Sequence, residues 1–199
     1  MNNVNVLAII PAKTDSTRLK KKNLRIIDGK TLVEHSIDYA LSSKLVKDII
    51  VTTESDEVIG IVNKYDKSDK TISIYDRDES YMGEREVADV YVNVFQKYNS
   101  YNNSDITHVV GIQPDHPDRT NDLDGMIRYF IDNKYDDLVT VDRFGTRNGS
   151  VRIVKAEYVK NGMMSRRVGS VLDDCTNIHS EEDLDKAEEN ILKGRSFNG

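Results

Sequence analysis

Short apolar runs alternating with helical apolar stripes predict an α/β fold with a mainly parallel sheet and helices on both faces. Two features support this. The first run, residues 4–10, is almost continuously apolar, as expected of a strand covered on both sides. The helical stripes then begin at capping residues, so helix starts can be placed between the strands.

The elements come in order along the chain. Leu32, Val33, Ile37, Ala40 and Leu41 form a helical stripe, and Thr31 with Glu34 makes a T-x-x-E capping box at its start. Residues 48–53 read as a strand, and Ser55 caps a helix carrying Val58, Ile59 and Val62. Residues 71–75 form the next strand. Val87, Val90, Tyr91, Val94, Phe95 and Tyr98 then give the clearest helical stripe, followed by a polar loop over 99–104. A strand over 106–112 precedes a helix using Leu123, Met126, Ile127, Phe130 and Ile131. Residues 137–141 and 150–155 read as strands. A last helix runs from Ser180 to about Leu192, and the tail from about residue 194 is expected to fray.

The 199 residues suit one domain, with 38% hydrophobic residues and a formal net charge of -6. That acid excess argues against nucleic-acid or membrane-surface binding. The single cysteine, Cys175, excludes a disulfide framework and a cysteine-rich zinc site and fits a reducing cytoplasm. No basic leader precedes the first apolar run, which is too short to span a bilayer.

In a parallel sheet of this kind, ligands bind beyond the carboxyl ends of the strands. The loops after Ile10, Thr53 and Ile112 are therefore selected. The first carries Lys13, Arg18, Lys20, Lys21 and Lys22 in an otherwise acidic chain. It lacks both the G-x-G-x-x-G and the G-K-[ST] phosphate motifs, yet its cations suit a polyanion such as a triphosphate. Lys20 and Lys21 read as a solvated run, which leaves Lys13, Arg18 and Lys22 as candidates. In "QPDHPDR", Asp115 is either a hard oxygen ligand for Mg²⁺ or a turn aspartate. His116 is a ligand, a base or a half-exposed loop side chain. Asp173 and Asp174 read as capping or solvated carboxylates near Asn177 and His179.

"IIPAKTDSTRLKKKNLRIIDGKTLVEH" resembles the opening of the cytidylyltransferases that activate sugar acids, the CMP-KDO and CMP-N-acetylneuraminate synthetases. Their pattern is roughly I-P-A-R-x-x-S-[TK]-R-[LI]-P-x-K. "IIVTTESDEV", "IQPDHPDR", "RNGSVRIVKAEYV" and "NIHSEEDLDKAEENI" are similar to the family's later motifs in the same order.

The resemblance implies a three-layer α/β/α nucleotidyltransferase domain over residues 1–199, with a reduced acceptor and dimerisation segment near 143–175. It implies CMP transfer from CTP to a small anionic acceptor, such as a sialic- or KDO-like acid or a phosphonate, with release of pyrophosphate. Mg²⁺ would serve as cofactor and the enzyme would be a cytoplasmic homodimer. Pro11, Ala12, Lys13, Ser16, Arg18, Lys22, Arg77 and Gln113 would bind the nucleotide, with Arg18, Lys22 and Asp115 at the chemistry. Arg147 and Asn148 would face the acceptor, and Asp115, Asn177 and His179 the metal.

Three departures from the pattern stand out. Lys13 replaces the arginine of P-A-R, and Asn177 and His179 replace the closing Asp-x-Asp. Either Asp115 and the triphosphate hold the metal, or Asp173 or Asp174 moves in, or catalysis is weakened. A nucleotidyltransferase of other base specificity and a nucleotide-binding homologue without catalysis are the alternatives.

Overall fold

In the computed structural model, residues 4–13, 16, 18–65, 70–77, 86–102, 105–161 and 166–197 are described. Strand β1 (Val6–Pro11) lies inside the sheet, third of its seven strands, and its side chains alternate between two cores. Val6, Ala8 and Ile10 join a cluster on one face with side chains of α1 (Leu32–Ser42), α2 (Asp56–Val62) and α4 (Leu123–Asp132). Leu7 and Ile9 join the opposite cluster with α3 (Val87–Asn102) and α5 (Ala156–Lys160). A period of two with both faces apolar is what a strand between two helical layers needs. The three-layer expectation holds.

The sheet order is β5-β4-β1-β6-β8-β7-β9, where β4 is Val46–Thr53, β5 Thr71–Asp76, β6 His108–Ile112, β7 Asp137–Val141, β8 Arg147–Lys155 and β9 Val168–Leu172. β8 runs antiparallel to both neighbours, and the other pairs are parallel. A small hairpin of β2 (Ile26–Ile27) and β3 (Lys30–Thr31) comes after the cationic loop. The close approach of α3 to β6 depends on Gly111. A Cβ there would lie 2.2 Å from the Tyr91 ring, far inside van der Waals contact.

The caps at Thr31, Ser55 and Ser180 form as expected, the first and last as full capping boxes. One expectation here needs correction. α3 continues through Asn102 where a loop was expected from residue 99, because Asn102 Nδ2 donates to Tyr98 O (2.9 Å) and keeps the last turn closed. Asn103 and Ser104 lie outside the described residues. In the tail, Arg195 N donates to Asn190 O (3.0 Å). The Phe197 ring also meets Tyr39 edge-on, with centroids 6.2 Å apart. Asn198 and Gly199 are outside the described set. The 143–175 segment holds β8, α5 and the edge strand β9, with 162–165 not described.

The closing helix α6 (Glu181–Leu192) buries Leu184, Ala187 and Ile191 against Leu19, Ile27 and Leu32. Each large aliphatic side chain removed from water contributes about 1.5–3 kcal/mol. The exposed Arg25–Glu181 ion pair beside it contributes at most about 1 kcal/mol. Apolar docking of α6 therefore fixes the preceding turn, residues 177–179, beside the cationic loop.

Candidate active site

β1 delivers the chain to the sheet's carboxyl edge, and hydrogen bonds to β4 lock the start of the cationic loop. Ala12 N donates to Thr52 O (2.9 Å), and Ala12 O accepts from Thr53 Oγ1 (2.7 Å). Ala12 is thus buried and braces the loop. Asn23 Nδ2 donates to Lys13 O (2.7 Å), closing the loop on itself.

A cavity of about 200 Å³ opens here. Pro11, Lys13, Ser16 and Lys22 line it from the first loop, Arg77 from the end of β5, and Gln113 and Asp115 from the end of β6. Three cationic side chains and one carboxylate thus face a small space. Ser16 Oγ is buried there and finds no hydrogen-bond partner among the described residues. An unsatisfied hydroxyl costs free energy unless a ligand completes it.

Lys22 Nζ bridges Asp115 Oδ2 (2.6 Å) and Ile178 O (3.1 Å), and Ile178 N donates to Asp115 O (2.9 Å). The turn before α6 is therefore stitched directly onto the loop after β6. Asn177 Oδ1 is buried and also without a partner among the described residues. Arg18 stands at the exposed rim, its Nη1 3.2 Å from His179 Nδ1. Burial together with the charges of Lys22 and Arg18 lowers the pKa of His179. Arg18, Lys22, Asp115 and His179 thus form one cluster. Lys20 is exposed and Lys21 pairs with Glu57 at the surface, as their reading as a solvated run required.

The start of β8, residues 147–150, is built otherwise. Asn148 Oδ1 accepts from Thr140 Oγ1 (2.6 Å) and Ser150 N (3.1 Å), while its Nδ2 donates to Asp173 O (2.6 Å). Arg147 is exposed. Gly149 has φ +79°, and a Cβ there would sit 2.7 Å from Gln113 Nε2, so glycine lets this part of β8 approach Gln113.

Two polar readings are corrected. Asp173 neither caps a helix nor meets solvent. It is fully buried, accepting from Thr120 N (2.8 Å), Thr120 Oγ1 (2.8 Å) and Ser150 Oγ (2.7 Å). His116 is fully buried rather than half-exposed, and burial beside Arg119 and Lys22 pushes its pKa down to about 3. Asp174 does remain near the surface, paired with Arg143 (2.5 Å). Sequence reasoning also missed Asp118 and Arg119, both buried. Asp118 holds Thr176 N and Oγ1 (both 2.8 Å), and Arg119 donates to Gln113 O, bracing a lining residue from behind. "QPDHPDR" signals a turn, and nothing local in it shows which carboxylate goes inside.

These features define a doubly wound α/β protein whose ligand cleft gathers cations at the strands' carboxyl ends. A family model for cytidylyltransferases matches residues 7–188, and the chain belongs to that family. The 3-deoxy-manno-octulosonate cytidylyltransferase of Koribacter versatilis is 38% identical over 96 residues, 46% of this chain and 36% of that protein. The CMP-N,N'-diacetyllegionaminic acid synthase of Legionella pneumophila is 40% identical over 63 residues, 32% of this chain and 27% of that protein. The chain thus spans about a third of the length of these curated relatives. The structure of CMP:2-keto-3-deoxy-manno-octonic acid synthetase complexed with CTP shares the fold, with a TM-score of 0.71 at 14% identity over 96% of this chain and 99% of that one.

Proposed function

We propose that the chain transfers CMP from CTP to a small anionic acceptor of the sugar-acid class, releasing pyrophosphate. The observation that carries this reading is the convergence of Lys13, Ser16, Lys22, Arg77, Gln113 and Asp115 on one cavity. The acceptor hydroxyl oxygen bonds to the α-phosphorus as the bond to the bridging oxygen breaks, and the hydroxyl proton is lost. Such a displacement is mainly a matter of positioning and charge neutralisation. Lys13 and Lys22 offset phosphate charge from within the cleft, and Arg18 does so from its rim. Ser16 Oγ donates to a phosphate oxygen, while Gln113 and Arg77 face the base or ribose. Arg147 attracts the acceptor's negative charge.

The donor set fits a hard cation. Asp115 supplies a carboxylate and Asn177 an amide oxygen with no partner among the described residues. Phosphate oxygens and water would complete the shell, as is usual for Mg²⁺. Mg²⁺ bound there would neutralise phosphate charge as pyrophosphate departs.

We further propose a cytoplasmic homodimer. Val168 and Leu172 on edge strand β9 are 45% and 56% exposed, and Phe144 in the β7–β8 connection is 86% exposed. These residues offer apolar surface to a second copy. No described helix is long and apolar enough to cross a membrane.

Pyrophosphate release from CTP, ATP, GTP and UTP, with a panel of sugar acids and with or without Mg²⁺, tests the reading. CTP with one acidic acceptor should support turnover. Asp115→Asn, which preserves shape, should lower Mg²⁺-dependent turnover by about 100-fold or more. CTP binding without turnover for every acceptor would leave a binding protein, and preference for another nucleotide would reassign the base.

A further inference from the structure

Gln113 and Asp115 line the nucleotide cleft, whereas Pro117 and Arg119 of the same loop line a second cavity. The two spaces share no lining residue. The second cavity holds about 440 Å³, within the range of small-molecule pockets. It lies between α1, the end of α6 and the tail, and Tyr39, Leu41, Ile191 and Phe197 give it apolar walls. Phe197 N donates to Arg119 O (2.5 Å) and its ring meets Tyr39 edge-on, so the tail closes one side.

Arg119 is the anomaly in this cavity. It is only 2% exposed, and its Cζ lies 4.9 Å from the centre of the Tyr39 ring. A guanidinium carries five N–H donors. Among the described residues its side chain makes one hydrogen bond, from Nη2 to Gln113 O, while Nε is buried without a partner. No carboxylate forms an ion pair with it among the described residues. The aromatic face offsets part of the charge, but a buried cation remains costly until an anion joins it. The two carboxylates that line the cavity do not serve. Asp38 is held by Lys30 (2.6 Å) and Tyr65 Oη (3.0 Å), and Asp28 is exposed to solvent.

We infer that this cavity is a second binding site, which takes a small organic acid. Its carboxylate pairs with Arg119, and its apolar body lies against Tyr39, Leu41 and Phe197. A guanidinium pairs with any oxyanion; the apolar walls select one that carries a hydrocarbon body. The inference stands apart from the nucleotide reading, since neither site uses a residue of the other.

Benzoate, a ring bearing one carboxylate, is the probe. Calorimetry compares benzoate, benzamide and inorganic phosphate on the unmodified chain, and benzoate on three variants whose fold is checked by circular dichroism. Ser42→Trp fills the cavity from an exposed position at the end of α1. Arg119→Gln removes the charge but keeps an N–H for Gln113 O, and Lys13→Ala/Arg18→Ala strips cations from the nucleotide cleft. Benzoate should bind the unmodified chain and the cleft variant alike. Benzamide and inorganic phosphate should bind at least about tenfold more weakly, and so should benzoate to Ser42→Trp and Arg119→Gln. Undiminished binding to Ser42→Trp would overturn the inference even if Arg119→Gln failed to fold. Loss in the cleft variant, benzamide or phosphate as tight as benzoate, or no benzoate binding to the folded unmodified chain would do the same.

Discussion

On the wall of the cleft formed by Lys13, Ser16, Lys22 and Asp115, polar groups keep donors for a ligand. On the wall formed by the start of β8, residues 147–150, nearly every polar group bonds inside the protein. Arg18 shares one ring contact and Ser16 Oγ has no partner among the described residues. Asn148, by contrast, uses its carbonyl oxygen twice and its amide nitrogen twice, all within the fold. The first wall is prepared to meet charge from outside. The second is a rigid frame that lets the Gly149 backbone crowd Gln113. Two residues matched to a family's binding motifs therefore differ in kind, one with an unpartnered hydroxyl in the cleft and one bonded within the fold.

The sharpest test of that contrast is Asp173, which ties the framed wall to the loop after β6. Asp173→Ala leaves Thr120 N, Thr120 Oγ1 and Ser150 Oγ without their acceptors in a buried place. The expected cost is about 3 kcal/mol or more. In a chain of this size that lowers Tm by roughly 6–12 °C. CTP affinity of the folded fraction should change little. An unchanged Tm with lost binding of the acceptor would place Asp173 in the site and break the comparison.

The difference between the walls also explains what could be read beforehand. The cleft residues stood out because five cations in one loop of an acidic chain come just after a strand's carboxyl end. Both the charge and its position are local facts. Strands with continuous or alternating apolar residues were equally visible. Asp173, Asp118 and His116 were not, because their burial depends on partners far along the chain. Thr120 lies 53 residues from Asp173, and Thr176 lies 58 from Asp118. β9 escaped notice for a related reason. Its "VGSVL" has small and polar residues inside an edge strand, and Gly169 is required because a Cβ would strike the Tyr135 ring at 2.5 Å. That requirement exists only once the sheet has formed.

His116, between the two walls, gives a pH-dependent test. Its folded pKa of about 3 lies below the usual value of 6.5, so the unfolded chain binds a proton that the folded chain refuses. Stability from this residue is fully present above pH 6.5 and is lost as pH falls through the window down to about 3. At pH 5 the loss should be about 2 kcal/mol. Urea denaturation at pH 7 and pH 5, with His116→Gln alongside, isolates it. The variant should lose less stability between the two pH values, whatever its stability at pH 7. An identical loss would mean that the ring takes up a proton in the folded state and that the loop is open to water.

The smallest expected effect separates Asn148 from its neighbour Arg147. Asn148→Ala leaves Ser150 N without its acceptor and Thr140 Oγ1 donating only the longer bond to Val151 O (3.2 Å), so stability should fall by about 1–3 kcal/mol. KM for the acceptor would then change only as far as the start of β8 relaxes. Arg147 is exposed, so Arg147→Ala should leave stability within about 0.5 kcal/mol. If it meets the acceptor's carboxylate, KM for the acceptor should rise several-fold while KM for CTP stays level. The reverse pattern, with Asn148→Ala raising the acceptor KM at unchanged Tm, would show the framed wall opening toward substrate. In that case the amide hydrogen bonds of Asn148 would have to exchange for ligand bonds of equal strength, since a buried amide left unpaired would cost about what the substitution removes.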